Sequence, residues 1–360
     1  MFKRGVEKKG FKRIQKTNKI KKRKLIVLAF LIVALVFASF FIFFLNKYNI
    51  RSCGDGTLDG SCSSIKPYFC SEGILIEKAS LCGCPDIFSQ SGDTCISEYQ
   101  TEPKNITLKY ILSGKEKEIE FTVYKGVVDY LSGLPRQIYY RNGEEPLRKD
   151  FKLKGINDPI QKEFLLPLVI KIQNIAKDKT EQVRIATSLV QKIPFGNSDK
   201  ITRFRKNIIN YSRYPYEVLY DVKGVCGEKS ELLVFLLREM GYGTAFLHYS
   251  FENHESVGIK CPFEYSVDET GYCFIETTGP SIITDAEVEY VGIGRLLSKP
   301  EIIVISDGDS LDKNLYEYRD AEELIRIRRS LENRGKINFF QHKILENLKK
   351  KYGLEKVYNP

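Results

Sequence analysis

Cys226 is the residue of this 360-residue chain whose setting most favours chemistry. It lies in KGVCGEKSELLVFLLREMGY, Lys223 to Tyr242, where glycines bracket it and an unbroken apolar run, Leu232 to Leu237, follows before the helix-stopping Gly241. The spacing predicts a buried helix with Cys226 at its start, where the helix dipole and unpaired backbone N–H groups favour a thiolate. The alternative is a small apolar residue filling a helix start. A thiolate nucleophile works with an imidazole that exchanges protons and a third group that orients the imidazole. Downstream, Asn253-His254-Glu255 opens a strand, Ser256 to Lys260, and a second strand, Tyr272 to Thr277, carries Glu276. Strand alternation lets His254 and Glu276 share one sheet face toward the helix start. His248, inside the alternating segment Thr244 to Phe251, is the other candidate base.

These residues resemble the transglutaminase-like branch of the papain-like cysteine enzyme superfamily, as found in microbial membrane proteins. The likeness rests on G-V-C before a Leu-rich helix and a Gly-Tyr stop, on His at a strand start, and on the carboxylate of I-E-T-T-G-P. Two lead-in segments, QVRIATSLVQKIPF (Gln182 to Phe195) and YPYEVLYDVKGVC (Tyr214 to Cys226), extend it, so it covers roughly residues 160 to 285. It implies an α+β fold in which a cysteine-bearing helix packs on an antiparallel sheet bearing the histidine and the acid. Carried over residue by residue, Cys226 is the nucleophile, His254 the general base and acid, and Glu276 the orienting carboxylate, with no cofactor and no metal. The superfamily more often has Asp at the third position, one methylene shorter than Glu276, and often an acid beside the cysteine. Here Val225 and Gly227 flank the cysteine, and Glu228 is the nearest acid. The implied activity is amide hydrolysis or acyl transfer through a thioester, on an extracellular protein, peptide or cell-wall substrate. The alternative is a non-catalytic surface module that keeps the fold.

Six of the nine cysteines, Cys53, Cys62, Cys70, Cys82, Cys84 and Cys95, crowd a Gly-, Ser- and Asp-rich stretch. So small a segment buries too little apolar surface to hold itself together, which predicts a disulfide framework of unspecified pairing over 53–97. Zinc is the competing reading, opposed by the absence of histidine and of paired C-x-x-C hooks there. The runs CGDGTLDGSC and CGCP look like the short cysteine-rich modules of microbial surface proteins. If Cys261 pairs with Cys273, Cys226 is left as the odd thiol. That pairing meets a difficulty. With His254 directly opposite Glu276, Cys261 faces Glu269, and four residues at ~3.4 Å each exceed the ~4.4 to 6.8 Å that a disulfide spans between Cα atoms. The loop Pro262 to Gly271 must then curl, or the two cysteines stay unbonded.

Other elements must position these groups. Ile106 to Leu112 and Glu118 to Tyr124 alternate around SGKEK and predict a hairpin; Pro159 to Ala176 and Glu181 to Lys192 read as helices. A strand at Glu301 to Ile305 precedes helices near Asp320 to Glu332 and Ile337 to Lys351, the second carrying an ordinary His342. The expected organisation is a basic cytoplasmic tail (1–24), a transmembrane helix (25–45), the cysteine-rich segment (53–97), the transglutaminase-like domain (105–300), and a strand with helices packed on it (301–360). The net charge of +10 invites a nucleic-acid partner, yet residues 1–24 hold twelve Lys and Arg against Glu7 alone, leaving −1 for the remainder. The charge-free Leu25 to Leu45 behind that basic flank reads as an uncleaved, single-pass anchor with the N-terminus inside. That reading places the C-terminal part outside the cell, with membrane lipid as a partner. Asn105-Ile-Thr and Asn210-Tyr-Ser match glycosylation acceptors.

Overall fold

The computed structural model describes residues 28, 30–37, 51–135, 137–204, 207–287, 289–290 and 294–354. Residues 1–51 and 52–360 are separate units. In the first, residues 28 and 30–37 are helical and exposed.

The second unit begins with the cysteine-rich segment. It holds two ribbons, β1 (Tyr68–Ser71) with β2 (Ile74–Glu77) and β3 (Ser89–Ser91) with β4 (Thr94–Ile96), around a one-turn helix α1 (Ala79–Cys82). All six cysteines are consumed in three disulfides, Cys53–Cys70, Cys62–Cys82 and Cys84–Cys95. A few buried side chains, among them Tyr68 and Leu75, complete its core against Ile170 of the main domain. Polar bonds reinforce that seam. Asn174 caps both the N–H and the C=O of Leu75, and Gln182 donates to the Gly54 carbonyl at 2.8 Å. Glycine is required at 54, because a Cβ there would sit 2.0 Å from the Gln173 carbonyl oxygen.

The predicted hairpin is β5 (Pro103–Leu112) and β6 (Lys115–Tyr124), paired in full register from Pro103↔Tyr124 to Leu112↔Lys115. Alternation decides its buried face: Ile106, Leu108 and Tyr110 lie beside Ile119, Phe121 and Val123 in the main core. Next come α2 (Lys125–Gly133), α3 (Arg148–Ile156), α4 (Pro159–Ile175) and α5 (Lys179–Lys192). Asp158 and Asp178 cap α4 and α5, each accepting an N–H of the first turn at 2.8 Å. A short ribbon, β7 (Ile201–Phe204) with β8 (Asn207–Asn210), leads to α6 (Pro215–Asp221) and the central helix α7 (Cys226–Glu239). Every residue from Leu232 to Leu237 is fully buried, as befits a helix apolar on all sides. The main sheet is antiparallel, in the order β11 (Tyr272–Ile275), β10 (His254–Lys260), β9 (Thr244–Tyr249), β14 (Glu301–Ser306). A minor ribbon, β12 (Glu289–Tyr290) with β13 (Gly294–Arg295), precedes β14; α8 (Tyr316–Arg334) and α9 (Phe339–Tyr352) close the chain. The fold is thus mixed α+β.

Two sequence readings are decided by the structure. The first is the register of β10 with β11, which the sequence left open. Val257 pairs with Ile275 and Lys260 with Tyr272, two residues away from the straight opposition of His254 and Glu276. The shift preserves the facing and removes the difficulty with the second cysteine pair: Cys261 meets Gly271, so Cys273 is its diagonal neighbour. The Cys261–Cys273 disulfide forms with Cα atoms 5.7 Å apart, and two tight helical turns, Phe263–Tyr265 and Val267–Glu269, curl the intervening loop.

The second is the membrane span. Among the described residues no helix is long and apolar enough to cross a membrane. Apart from residues 28 and 30–37, the stretch 25–45 and the basic tail 1–24 lie outside the described residues. The transmembrane element of the expected fold, the single-pass placement in the cell membrane and the lipid partner all lose their structural footing with it. The four disulfides instead point to an oxidising setting, extracellular or periplasmic.

Candidate active site

Cys226 is the first residue of α7 and the free cysteine of the described chain, half-buried. The helix start is held by charge. Glu228, in the first turn, reaches back to accept the Val225 N–H at 3.0 Å and the Arg213 N–H at 2.7 Å, and it pairs with the Arg213 guanidinium at 3.0 Å. Arg213, itself buried, also binds Asp221 at 2.7 Å and the carbonyls of Gly196 and Asn197 at 3.2 Å each. Thus Glu228, the acid nearest the cysteine, anchors the turn that presents Cys226.

His254 opens β10 and is 1% exposed. Its Nε2 lies 2.8 Å from Glu276 Oε2, and Cys226 is near enough to influence the charge on the ring. Burial pulls the His254 pKa down, but the Cys226 and Glu276 contacts outweigh it and raise the value to about 10. The ring is therefore an imidazolium at neutral pH. Glu276, fully buried just past β11, has its remaining oxygen filled by the Thr278 N–H at 2.8 Å and the Thr278 hydroxyl at 2.6 Å. Burial raises its pKa, yet the His254 bond and charge and the Thr278 bonds hold it below the ordinary glutamate value. Its longer side chain reaches His254 diagonally across the shifted register. Thr277, next along, ties the sheet to the helix start by donating to the Cys226 carbonyl at 3.4 Å.

His248 is placed elsewhere. It pairs with Glu255 in the β9–β10 ladder, and its Nδ1 lies 3.7 Å from that carboxylate. Adjacent strand residues point to opposite faces, so the pair looks away from the face His254 shares with Glu276. Glu255 in turn binds Lys152 of α3 at 2.6 Å, and Lys152 binds Glu231 of α7 at 2.9 Å. Asn105 is exposed on β5, where its Oδ1 accepts the Thr122 hydroxyl at 2.8 Å; Asn210 ends β8.

One residue that sequence reasoning passed over stands directly behind the cluster. Lys229, one turn after Cys226, is fully buried, with Nζ donating to the carbonyl of Ile193 at 2.5 Å, of Thr278 at 3.4 Å and of Gln191 at 3.5 Å. Burial lowers its pKa to about 7 against the charges of Glu276 and Cys226, which support the ammonium. Its signal in the sequence is slight: a lysine on a helix otherwise apolar on that face. The site thus pairs a protonated imidazole with an ionised carboxylate beside the cysteine-bearing helix start, with a second titrating cation beneath.

No known protein family and no curated protein matches this chain. Among solved structures it is similar to calcium-bound LapG of Legionella pneumophila, at 14% identity and a TM-score of 0.25 over 50% of this chain and 99% of that one.

Proposed function

We propose that the protein is a cysteine-dependent amide hydrolase or acyl transferase, in keeping with the resemblance to the transglutaminase-like branch. The observation that carries this reading is His254, buried, bonded to Glu276 at 2.8 Å and near enough to Cys226 for the sulfur to influence the charge on its ring. In this mechanism the Cys226 sulfur attacks the amide carbonyl as a thiolate paired with the His254 imidazolium. The imidazolium then gives its proton to the departing amine, leaving a thioester on Cys226 and a neutral ring. Water resolves the thioester in hydrolysis, and an amine resolves it in transfer, with His254 taking the incoming nucleophile's proton in either case. Glu276 keeps the ring oriented and supports its positive charge throughout.

p-Nitrophenyl acetate tests the first half-reaction. Intact-mass analysis of the folded protein should show one acetyl group on Cys226, preceded by a burst of nitrophenolate stoichiometric with protein. The acetyl group should vanish in Cys226→Ala, and the burst should slow on the order of a hundredfold or more in His254→Ala. Folded protein that takes up no acetyl group at Cys226 would overturn the proposal.

A further inference from the structure

The hairpin leaves one strand edge open inside a cavity. Two contacts fix which of its amides point outward. The Tyr124 N–H leaves the hairpin for the Tyr216 hydroxyl at 2.7 Å, and its register partner, Pro103, has no N–H to offer. On the other strand the Ile111 N–H leaves for the Ser188 hydroxyl at 2.8 Å. Both contacts mark the same alternate set of non-hydrogen-bonded pairs, so Glu120 and Thr122 direct their N–H and C=O groups off the outer edge of β6. Among the described residues nothing bonds those two amides.

Glu120, Thr122 and Tyr124 border a cavity of about 450 Å³ between the hairpin, the cysteine-rich segment and α4. Phe88 and Phe164 form an apolar wall, their ring centroids 5.2 Å apart. Glu163 lines the same cavity, partly buried, its carboxyl raised by burial and engaged in no ion pair among the described residues. Proteins ordinarily guard open edges with charges or proline. β6 follows that rule as far as Glu120, with Lys115, Glu116, Lys117, Glu118 and Glu120 itself, whereas Phe121 to Tyr124, beside the cavity, carries neither.

We propose that this edge binds an extended peptide segment of another protein by strand addition. The peptide's backbone bonds the Glu120 and Thr122 amides and carbonyls, a bulky apolar side chain seats against Phe88 and Phe164, and a basic side chain pairs with Glu163. Alternation in the added strand puts two such side chains on one face when they are two residues apart. The site is separate from Cys226 and stands whether or not Cys226 is a nucleophile.

The test uses the full chain carrying Cys226→Ala, so that turnover cannot confuse binding, with acetyl-Thr-Phe-Thr-Lys-Thr-amide as probe. The peptide should bind with sub-millimolar affinity and slow hydrogen exchange at the Glu120 and Thr122 amides. Thr122→Pro removes the outward N–H without breaking a β5–β6 bond and should weaken binding about tenfold. Glu163→Gln should weaken this peptide but not its analogue with norleucine for Lys. Absence of binding at millimolar peptide, unchanged affinity in folded Thr122→Pro, or unslowed exchange at both amides in the saturated complex would overturn the proposal. Exchange in the parent chain decides the matter if Thr122→Pro does not fold.

Discussion

Replacing Lys229 with Met should make a nearly pH-independent stability pH-dependent. His254 has its folded pKa raised from 6.5 to about 10, so the folded state binds the extra proton between those values. Its stabilisation is complete below pH 6.5 and is lost as pH rises toward 10, at about 1.4 kcal/mol per pH unit. Lys229 works in the opposite sense. Its folded pKa is lowered from 10.5 to about 7, so above 7 the unfolded chain binds the extra proton and stability rises with pH at the same slope. Both groups are almost fully buried, so solvent screening does not dilute either effect. Between pH 7 and pH 9 the two slopes cancel in the native protein. Lys229→Met removes one of them and should lose on the order of 3 kcal/mol over those two pH units. Urea unfolding at pH 7, 8 and 9 measures this, and the window stops short of general tyrosine ionisation. A Lys229→Met protein as flat as the native one would refute the opposed titrations, as would a native protein that already falls by that amount.

Three further outcomes follow from the same contacts. Removing Cys261–Cys273 by a double serine substitution opens a loop of sequence separation 12 and should cost about 3 kcal/mol in urea unfolding, with the thiol at Cys226 retained. Arg213→Met strands the buried Glu228 carboxylate and releases the turn before Cys226; calorimetry should show a loss of about 3–5 kcal/mol. Gly54→Ala drives a Cβ into the Gln173 carbonyl, which should expose the cysteine-rich segment to limited proteolysis while near-UV dichroism of the remaining domain persists.

The elements read most directly from the sequence are those whose burial imposes a period. Ile106, Leu108 and Tyr110 alternate because one hairpin face is buried, and Leu232 to Leu237 run unbroken because α7 is enclosed on every side. Cys226, His254 and Glu276 stand out through residue type and order, and the fold brings the last two within 2.8 Å of each other. The two-residue register shift is invisible to such reasoning, since alternation fixes which face a residue takes but not its partner. Lys229 and Arg213 escape for another reason: a long cation usually marks solvent, and only the assembled carbonyls of residues 191, 193 and 278, or the carboxylates of Glu228 and Asp221, account for its burial. For the apolar stretch 25–45, composition alone suggests a span, whereas no helix among the described residues is long and apolar enough to cross a membrane.

The rate at which iodoacetamide alkylates Cys226 at pH 7 tests the central claim most directly, followed by intact mass on the folded native protein and on His254→Ala. A sulfur activated by the buried imidazole should react at least about tenfold faster in the native protein than in His254→Ala. Equal rates in the two folded proteins, or a native Cys226 that does not react, would contradict the account.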